Sequence, residues 1–138
     1  MEKVLGIQLP VVEDAALNAR DYGDYTGKNK WEIKEQLGEA AFLKLRRSWD
    51  YPIPNGESLK DVYNRSIPYY QQHILPELKN GKNVLVSAHG NSLRALVKYL
   101  DNIADADIAK LEIPTGQVLV YSVDQAGKII SKEIKGVY

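Results

Sequence analysis

The stretch VLVSAHGNSLR, residues 84–94, decides the fold of this chain. Its apolar first half belongs to a run over residues 83–88 that has the length and composition of a central parallel strand. The apolar spacing over residues 92–100 predicts a helix directly afterwards, with Asn91 or Ser92 at its N-cap. A buried strand that leads into a helix is typical of the α/β class.

The junction between this strand and this helix is a candidate anion site. Ligands of open α/β sheets bind beyond the carboxyl ends of the strands, where a helix N-terminus directs unpaired N–H groups at them. His89 could donate a hydrogen bond to a phosphoryl oxygen, Gly90 would allow close approach, and Asn91 adds a donor. The spacing alone leaves open the alternative that these residues only cap a strand and a helix.

Upstream of this stretch, regular and irregular segments alternate. The apolar run over residues 5–12 predicts a short strand, and the polar residues 18–29 predict a long loop. Residues 30–48 predict two short helices separated at Gly38, and the prolines and Asn-Gly pair of residues 50–56 predict a second irregular loop. Loops of about a dozen residues in compact domains are often functional.

A long amphipathic helix is predicted over residues 59–78, because its apolar positions recur at helical spacing. Ser58 and Asp61 form a capping-box pattern at its start. Pro68 should kink the helix by removing one backbone donor, and Gly81 should end it.

The C-terminal part predicts a short helix over residues 105–111 and then an antiparallel hairpin of residues 117–123 and 128–134. No linker or repeat divides the chain, so residues 1–138 are interpreted as one domain. The alternation of helices and strands places this domain in the α/β class.

Arg46 and Arg47 are a second candidate for anion binding. Two adjacent guanidinium groups just before an irregular loop could clamp a phosphate and a carboxylate with paired hydrogen bonds. The alternative is a solvated helix end, where basic side chains suit the helix dipole.

The composition narrows the class of protein. Eighteen basic and eighteen acidic residues give a formal net charge of zero, which argues against a general nucleic-acid binder and requires any anion site to be a local cluster. The chain contains no cysteine, which excludes disulfides and thiol chemistry and fits a cytoplasmic protein. Its first residues form neither a secretory signal nor a spanning helix, so no membrane partner is expected.

Four blocks of the sequence resemble one family in order and spacing. These are LNARDYGDYTGKNK (17–30), LRRSWDYPIPNGESL (45–59), LVSAHGNSLRALVKYLDN (85–102) and IPTGQVLVY (113–121). They are similar to the 2,3-bisphosphoglycerate-dependent phosphoglycerate mutases of the histidine phosphatase superfamily. The resemblance implies a three-layer sandwich with a mostly parallel sheet and a C-terminal antiparallel hairpin. It also implies interconversion of 3-phosphoglycerate and 2-phosphoglycerate in glycolysis and gluconeogenesis, through a phosphohistidine and 2,3-bisphosphoglycerate, without a metal.

The resemblance assigns expected roles to eight residues of this chain. His89 matches the family's second active-site histidine, which contacts the phosphoryl group and stabilises the transition state. The residues that match the family's substrate- and phosphate-binding positions are Arg20, Tyr22, Lys30, Arg46, Arg47, Gly90 and Asn91.

Two departures from the family bear on catalysis. The family's phosphorylated histidine lies in an Arg-His-Gly motif at the end of an N-terminal strand, and these 138 residues contain no such motif. The resemblance therefore implies that the strands preceding this part of the family's domain are missing. Ala19 stands where the family has the glutamate that acts as general acid and base, and its loss should slow the hydroxyl step by about 10²-fold or more.

These departures leave more than one hypothesis open. The chain is expected to be an impaired phosphoglycerate mutase, inactive alone, or else a non-catalytic anion-binding remnant or a subunit that complements a separate N-terminal piece. A broad phosphatase is disfavoured, because phosphatases lack the block over residues 45–59. Missing neighbours would leave residues 83–88 and 117–123 with unpaired apolar edges, so a homo-oligomer formed by strand exchange is predicted.

Overall fold

A computed structural model describes residue 6 and residues 8–136 of the chain. The helices are α1 (Lys30–Leu37), α2 (Glu39–Arg47), α3 (Leu59–Tyr69), α4 (Leu75–Lys79) and α5 (Gly90–Leu100), and the strands are β1 (Val118–Val123) and β2 (Ile129–Lys135). Short 3₁₀ turns lie at Ala15–Leu17, Gly23–Tyr25 and Ile108–Lys110. None of the helices in the described ranges is long and apolar enough to cross a bilayer.

The two short helices predicted on either side of Gly38 are confirmed as α1 and α2. Ile33 of α1 and Leu45 of α2 are buried with Ile53 of the irregular loop that follows. Tyr22 is half-buried against this cluster, so the helices also anchor the long polar loop in which Tyr22 lies.

The long helix is confirmed from its capping box onward, and it runs from α3 through a π-helical turn into α4. The hydroxyl of Ser58 accepts from the Asp61 N–H, and the Asp61 carboxylate accepts from the Ser58 N–H at 2.9 Å. The π-helical turn covers Tyr70–Ile74. Pro76 lacks the N–H that an α-helix would place on the carbonyl four residues earlier, which favours this wider turn.

α3 and α5 pack side by side and form the centre of the core. Leu59 and Val62 of α3 are fully buried with Ala95 of α5 and Ile108 of the last 3₁₀ turn. A second cluster continues along the same interface through Ile67 and the π-helical turn. The N-terminus of α5 is thereby held against the rest of the domain.

The predicted strand over residues 83–88 is wrong for the described part of the chain. Within that part, no backbone hydrogen bond joins this segment to a neighbouring strand, and the one ladder present is the antiparallel pair of β1 and β2. Val84 and Leu85 are 39% and 60% exposed. An apolar run becomes a strand only when a neighbouring backbone supplies its hydrogen bonds.

Three smaller predictions from the sequence also differ from the structure. The predicted strand over residues 5–12 lies partly outside the described residues, and its described end, residues 8–12, is irregular and exposed. The helix predicted over residues 105–111 is reduced to a single 3₁₀ turn. The N-cap of α5 is His89 and not Asn91 or Ser92, because the Ser92 hydroxyl accepts from the His89 N–H and so begins the helix earlier.

The C-terminal hairpin is confirmed, with Val118 paired to Lys135.

Gly23 sets how closely the polar loop approaches the second irregular loop. Its φ is 49°, and a Cβ there would lie 2.2 Å from the carbonyl oxygen of Pro54. Gly23→Ala is therefore expected to lower the free energy of unfolding by roughly 3 kcal/mol.

Gly27 is the matched control for this substitution, because its φ is also positive but nothing lies within 4 Å of a Cβ built there. Gly27→Ala should cost only about 1 kcal/mol. Urea denaturation of both variants checks the expectation, and equal losses would show that the contact with Pro54 is unimportant.

Candidate functional site

The N-terminus of α5 presents polar groups at one face of the domain. The Ser92 hydroxyl accepts from the His89 N–H and donates to the His89 carbonyl, both at 3.0 Å, which fixes the backbone at the start of the helix. His89 and Gly90 are exposed and Asn91 is half-buried. The first residues of the helix therefore point free backbone donors toward the same space as these side chains.

Arg20 brings a buried cation to this space from the long polar loop. It is 5% exposed, and it donates from Nε to the Glu57 carbonyl at 2.6 Å and from Nη1 to the Leu45 carbonyl at 2.9 Å. Its Nη2 atom is buried without a hydrogen-bond partner among the described residues. Burial lowers the pKa of Arg20, and the nearby Tyr22 and Glu57 oppose that shift. A buried donor without a partner is costly, and an anionic ligand would satisfy it.

Arg46 and Arg47 reach the same space from the C-terminal end of α2. The guanidinium carbon of Arg46 lies 5.8 Å from the centre of the Phe42 ring. Nη2 of Arg47 lies 2.9 Å from a carboxylate oxygen of Glu112. Both arginines are half-buried, so each keeps donors that a ligand could reach.

These groups surround an open cavity of about 350 Å³. Of the described residues that line it, four carry guanidinium groups and one, Glu112, carries a carboxylate. The cavity is lined by Ala19, Arg20, Tyr22, Arg46, Arg47, His89, Gly90, Asn91, Arg94, Glu112 and Ile113. A chain of zero net charge thus concentrates positive charge at one point, which suits a small ligand with several negative charges.

The structure brings together eight of the nine residues singled out in the sequence. Lys30 is the exception, because it is the exposed first residue of α1 and does not line the cavity. Ala19 does line it, so the position that the resemblance links to proton transfer carries only a methyl group.

Sequence reasoning missed three lining residues. Arg94 lies within residues 84–94, four residues after Gly90, and the signal for it is an arginine among the apolar positions of a predicted helix. Ile113 begins the block over residues 113–121 that resembles the family, but the resemblance assigns no role to it. Glu112 carried no signal, because it reaches the cavity only through the fold of the segment before β1.

Arg65 of α3 holds the polar loop in place. It donates to the backbone carbonyls of Ala16 at 2.7 Å, Asn18 at 2.9 Å and Ala19 at 3.2 Å. It also pairs with the Glu57 carboxylate at 2.8 Å, and that carboxylate accepts from the Asp21 N–H at 3.0 Å. This network fixes the backbone on both sides of Arg20.

The network makes the free energy of unfolding depend on pH. The hydrogen bonds from Arg65 lower the pKa of Glu57 below its ordinary value of 4.5, with burial opposing them. Because the pKa is lower in the folded chain, the stabilisation is fully present above about pH 4.5 and is lost as the pH falls through the folded value.

Glu57→Gln is therefore expected to lower the free energy of unfolding at neutral pH and to flatten its decline in acid. The control is Glu133→Gln, which removes an exposed carboxylate paired with Lys135 on the hairpin and should change neither. Chemical denaturation across a pH series checks this, and a wild-type acid slope in Glu57→Gln would contradict it.

The sequence comparisons give the chain's relatives. The family described as Histidine phosphatase superfamily (branch 1) matches residues 1–133. The 2,3-bisphosphoglycerate-dependent phosphoglycerate mutase of Corynebacterium diphtheriae is 47% identical, over 89% of this chain and 59% of that protein. The protein of the same name from Chelativorans sp. is 49% identical, over 96% of this chain and 65% of that protein. The chain thus spans less than two thirds of the length of these curated relatives.

The fold is similar to that of a mycobacterial glucosyl-3-phosphoglycerate phosphatase. Its native structure aligns with a TM-score of 0.72 at 23% identity, over 98% of this chain and 66% of that one. Its complex with inorganic phosphate aligns with a TM-score of 0.67, over 88% and 61%. The family match over residues 1–133 shows that the chain belongs to branch 1 of the histidine phosphatase superfamily.

Proposed function

We propose that the cavity binds phosphoglycerates, and that these 138 residues alone do so without interconverting them. The buried, unpartnered Nη2 of Arg20 carries this proposal, because it is a donor that no described residue satisfies. The names of the curated relatives supply the ligand class. A phosphoglycerate has a phosphate and a carboxylate, and the guanidinium groups of Arg46 and Arg47 suit two such anionic groups.

The same residues suit 2,3-bisphosphoglycerate, which the names of the relatives specify. Its two phosphates and one carboxylate would be held by the arginines that line the cavity, while His89 and Asn91 add donors at the start of α5. Lys30 remains a proposed contact only through the resemblance, since it lies outside the cavity lining. A cytoplasmic location, as predicted from the sequence, is part of this proposal.

Interconversion is not expected from this chain alone, for two chemical reasons. The phosphohistidine route that the resemblance implies needs a nucleophilic histidine besides His89, and the other histidine in the sequence is His73, on the π-helical turn. Ala19 lacks the carboxylate that would move a proton to or from the substrate hydroxyl. We therefore assign the cavity to binding in this chain, with mutase activity reserved for a form that contains the nucleophile.

Calorimetry tests the binding proposal. The unaltered chain should bind 3-phosphoglycerate and inorganic phosphate at one site, with affinity that falls as salt is raised. Glycerate, which lacks the phosphate, is the matched control and should bind far more weakly. Failure of 3-phosphoglycerate to bind at all would refute the proposal, and steady release of inorganic phosphate would favour a phosphatase.

We also propose that the chain self-associates through residues 83–88, as part of the three-layer sandwich implied by the resemblance. The support is that this apolar segment is exposed and has no ladder partner among the described residues. A second copy that supplied a strand there would bury Val84 and Leu85. Light scattering at micromolar concentration should show a dimer or larger species that Leu85→Lys reduces to a monomer. A monodisperse monomer of the unaltered chain would contradict this.

A further inference from the structure

Arg94 of α5 is an arginine buried in the wall of the cavity. It is 3% exposed. Nη2 donates to the carbonyls of Arg47 at 2.8 Å and Ile108 at 2.9 Å, and Nε donates to the carbonyl of Leu111 at 3.1 Å. One side chain therefore joins the end of α2, the last 3₁₀ turn and the segment that carries Glu112.

A further donor of Arg94 fixes the amide of Asn91. Nη1 of Arg94 lies 3.1 Å from Oδ1 of Asn91. Because a guanidinium group has only donors, the amide atom that faces it must be the oxygen. The amide nitrogen is therefore turned away from Arg94, and it donates to the Tyr22 hydroxyl at 3.0 Å.

The hydrogen bonds that run from Arg94 to Asn91 also orient the hydroxyl of Tyr22. Since the hydroxyl oxygen of Tyr22 accepts from Asn91, the hydroxyl hydrogen is left to point elsewhere. The amide nitrogen of Asn91 also carries a second hydrogen. Both residues line the cavity, so both can present donors to a ligand there.

We propose that Arg94 is a positioning residue that sets Asn91 and Tyr22 as hydrogen-bond donors toward a bound oxyanion and holds Arg47 beside them. The inference rests on the proposed anion-binding function of the same cavity. Arg94 does not need to touch the ligand in this role. It fixes the orientation of the Asn91 amide, so that an anion in the cavity meets the N–H donor of Asn91 and the O–H donor of Tyr22 and not the amide oxygen of Asn91.

Arg94 keeps its charge at neutral pH. Burial, together with the nearby Arg47 and Arg20, lowers the pKa of Arg94 to about 10, which still leaves the guanidinium protonated. At neutral pH the side chain is thus a charged donor while phosphate is an anion.

Lys98 provides a matched control on the same helix. It is also buried, at 8% exposure, and its Nζ donates to the Ile103 carbonyl at 3.0 Å and pairs with Asp105 at 2.7 Å. It does not line the cavity. Arg94→Met and Lys98→Met each remove one buried cation that anchors a neighbouring segment, so both should lower the melting temperature.

The affinity for inorganic phosphate, measured by calorimetry, should separate the two variants. Arg94→Met should weaken binding by about tenfold, whereas Lys98→Met should change it by less than about twofold. Arg94→Lys keeps the charge without the planar fork and should also weaken binding about tenfold, with the loss persisting at high salt. It serves as the test if Arg94→Met does not fold.

A double-mutant cycle tests the proposed direction of the hydrogen bonds. Tyr22→Phe should weaken phosphate binding several-fold in the unaltered chain but hardly at all in the Arg94→Lys background, because the hydroxyl is then no longer set as a donor. In ligand-free protein, the ¹⁵N–¹H resonances of the Asn91 side-chain amide should shift in Arg94→Lys and stay in place in Lys98→Met.

The outcomes distinguish this inference from the function on which it rests. If the unaltered chain binds no phosphate, the proposed function fails, and the amide resonances still report whether Arg94 orients Asn91. If the unaltered chain binds phosphate and Arg94→Lys binds it equally well, the positioning role is overturned while the proposed function stands. Equal losses of affinity in Lys98→Met and Arg94→Met would overturn the positioning role, because they would show that Arg94 affects binding only by stabilising the fold.

Discussion

Replacement of Arg20 by methionine is expected to weaken 3-phosphoglycerate binding by roughly a hundredfold. The substitution removes the buried Nη2 donor that has no partner among the described residues. A hydrogen bond between a cation and an anion is strong where water is largely excluded, and Arg20 is 5% exposed.

Two controls separate this loss from other effects. Lys34→Met removes a positive charge from α1 outside the cavity and should leave the affinity within about twofold, since Lys34 is half-buried and paired with Glu39, and its charge is partly screened by solvent. Arg20→Lys retains the charge and should recover only part of the affinity, because the single nitrogen of a lysine cannot reach the two carbonyls and the ligand from the separate positions of the guanidinium nitrogens. Thermal unfolding of each variant shows whether the fold is intact. Unchanged affinity in a folded Arg20→Met would show that the cavity does not depend on this donor.

Ala19→Glu is expected to weaken 3-phosphoglycerate binding by about tenfold at neutral pH. Ala19 lines the cavity beside Arg20, so a carboxylate there would repel the ligand's phosphate and pair with the guanidinium groups that bind it. Ala19→Gln is the matched control, because it adds nearly the same volume without the charge. Calorimetry on the two variants checks the expectation, and equal affinities would show that charge at this position has no effect on binding.

Ala19→Glu should also fail to produce 2-phosphoglycerate. A general acid and base moves protons but does not supply the missing nucleophile. Turnover by Ala19→Glu, followed in a coupled mutase assay, would instead show that His89 or another group of this chain can accept the phosphoryl group.

Local chemistry made the helices predictable from sequence. The reciprocal cap of Ser58 and Asp61 and the apolar spacing after it define α3 without any distant contact. Gly38 likewise separates α1 from α2 through its own position in the sequence. The hairpin was predictable for the same reason, since its turn and both of its strands are adjacent in the chain.

Features that depend on distant partners were not predictable. Residues 83–88 have the composition of a strand, but a strand needs a neighbour, and the described residues supply none. Arg94 contributes through carbonyl groups far along the chain, such as that of Arg47, which the order of residues does not reveal. Lys30 stays a proposed contact through the resemblance alone, because it does not line the cavity and the sequence does not show where α1 directs its first residue.

Phosphorus NMR of 3-phosphoglycerate mixed with stoichiometric unaltered chain tests the central claim most directly, because one spectrum reports both binding and turnover. With a trace of 2,3-bisphosphoglycerate present, the 3-phosphoglycerate resonance should shift or broaden, and no 2-phosphoglycerate resonance should appear. A sharp, unshifted signal would contradict binding at the arginine-lined cavity. A growing 2-phosphoglycerate signal would contradict the assignment of the chain to binding without interconversion.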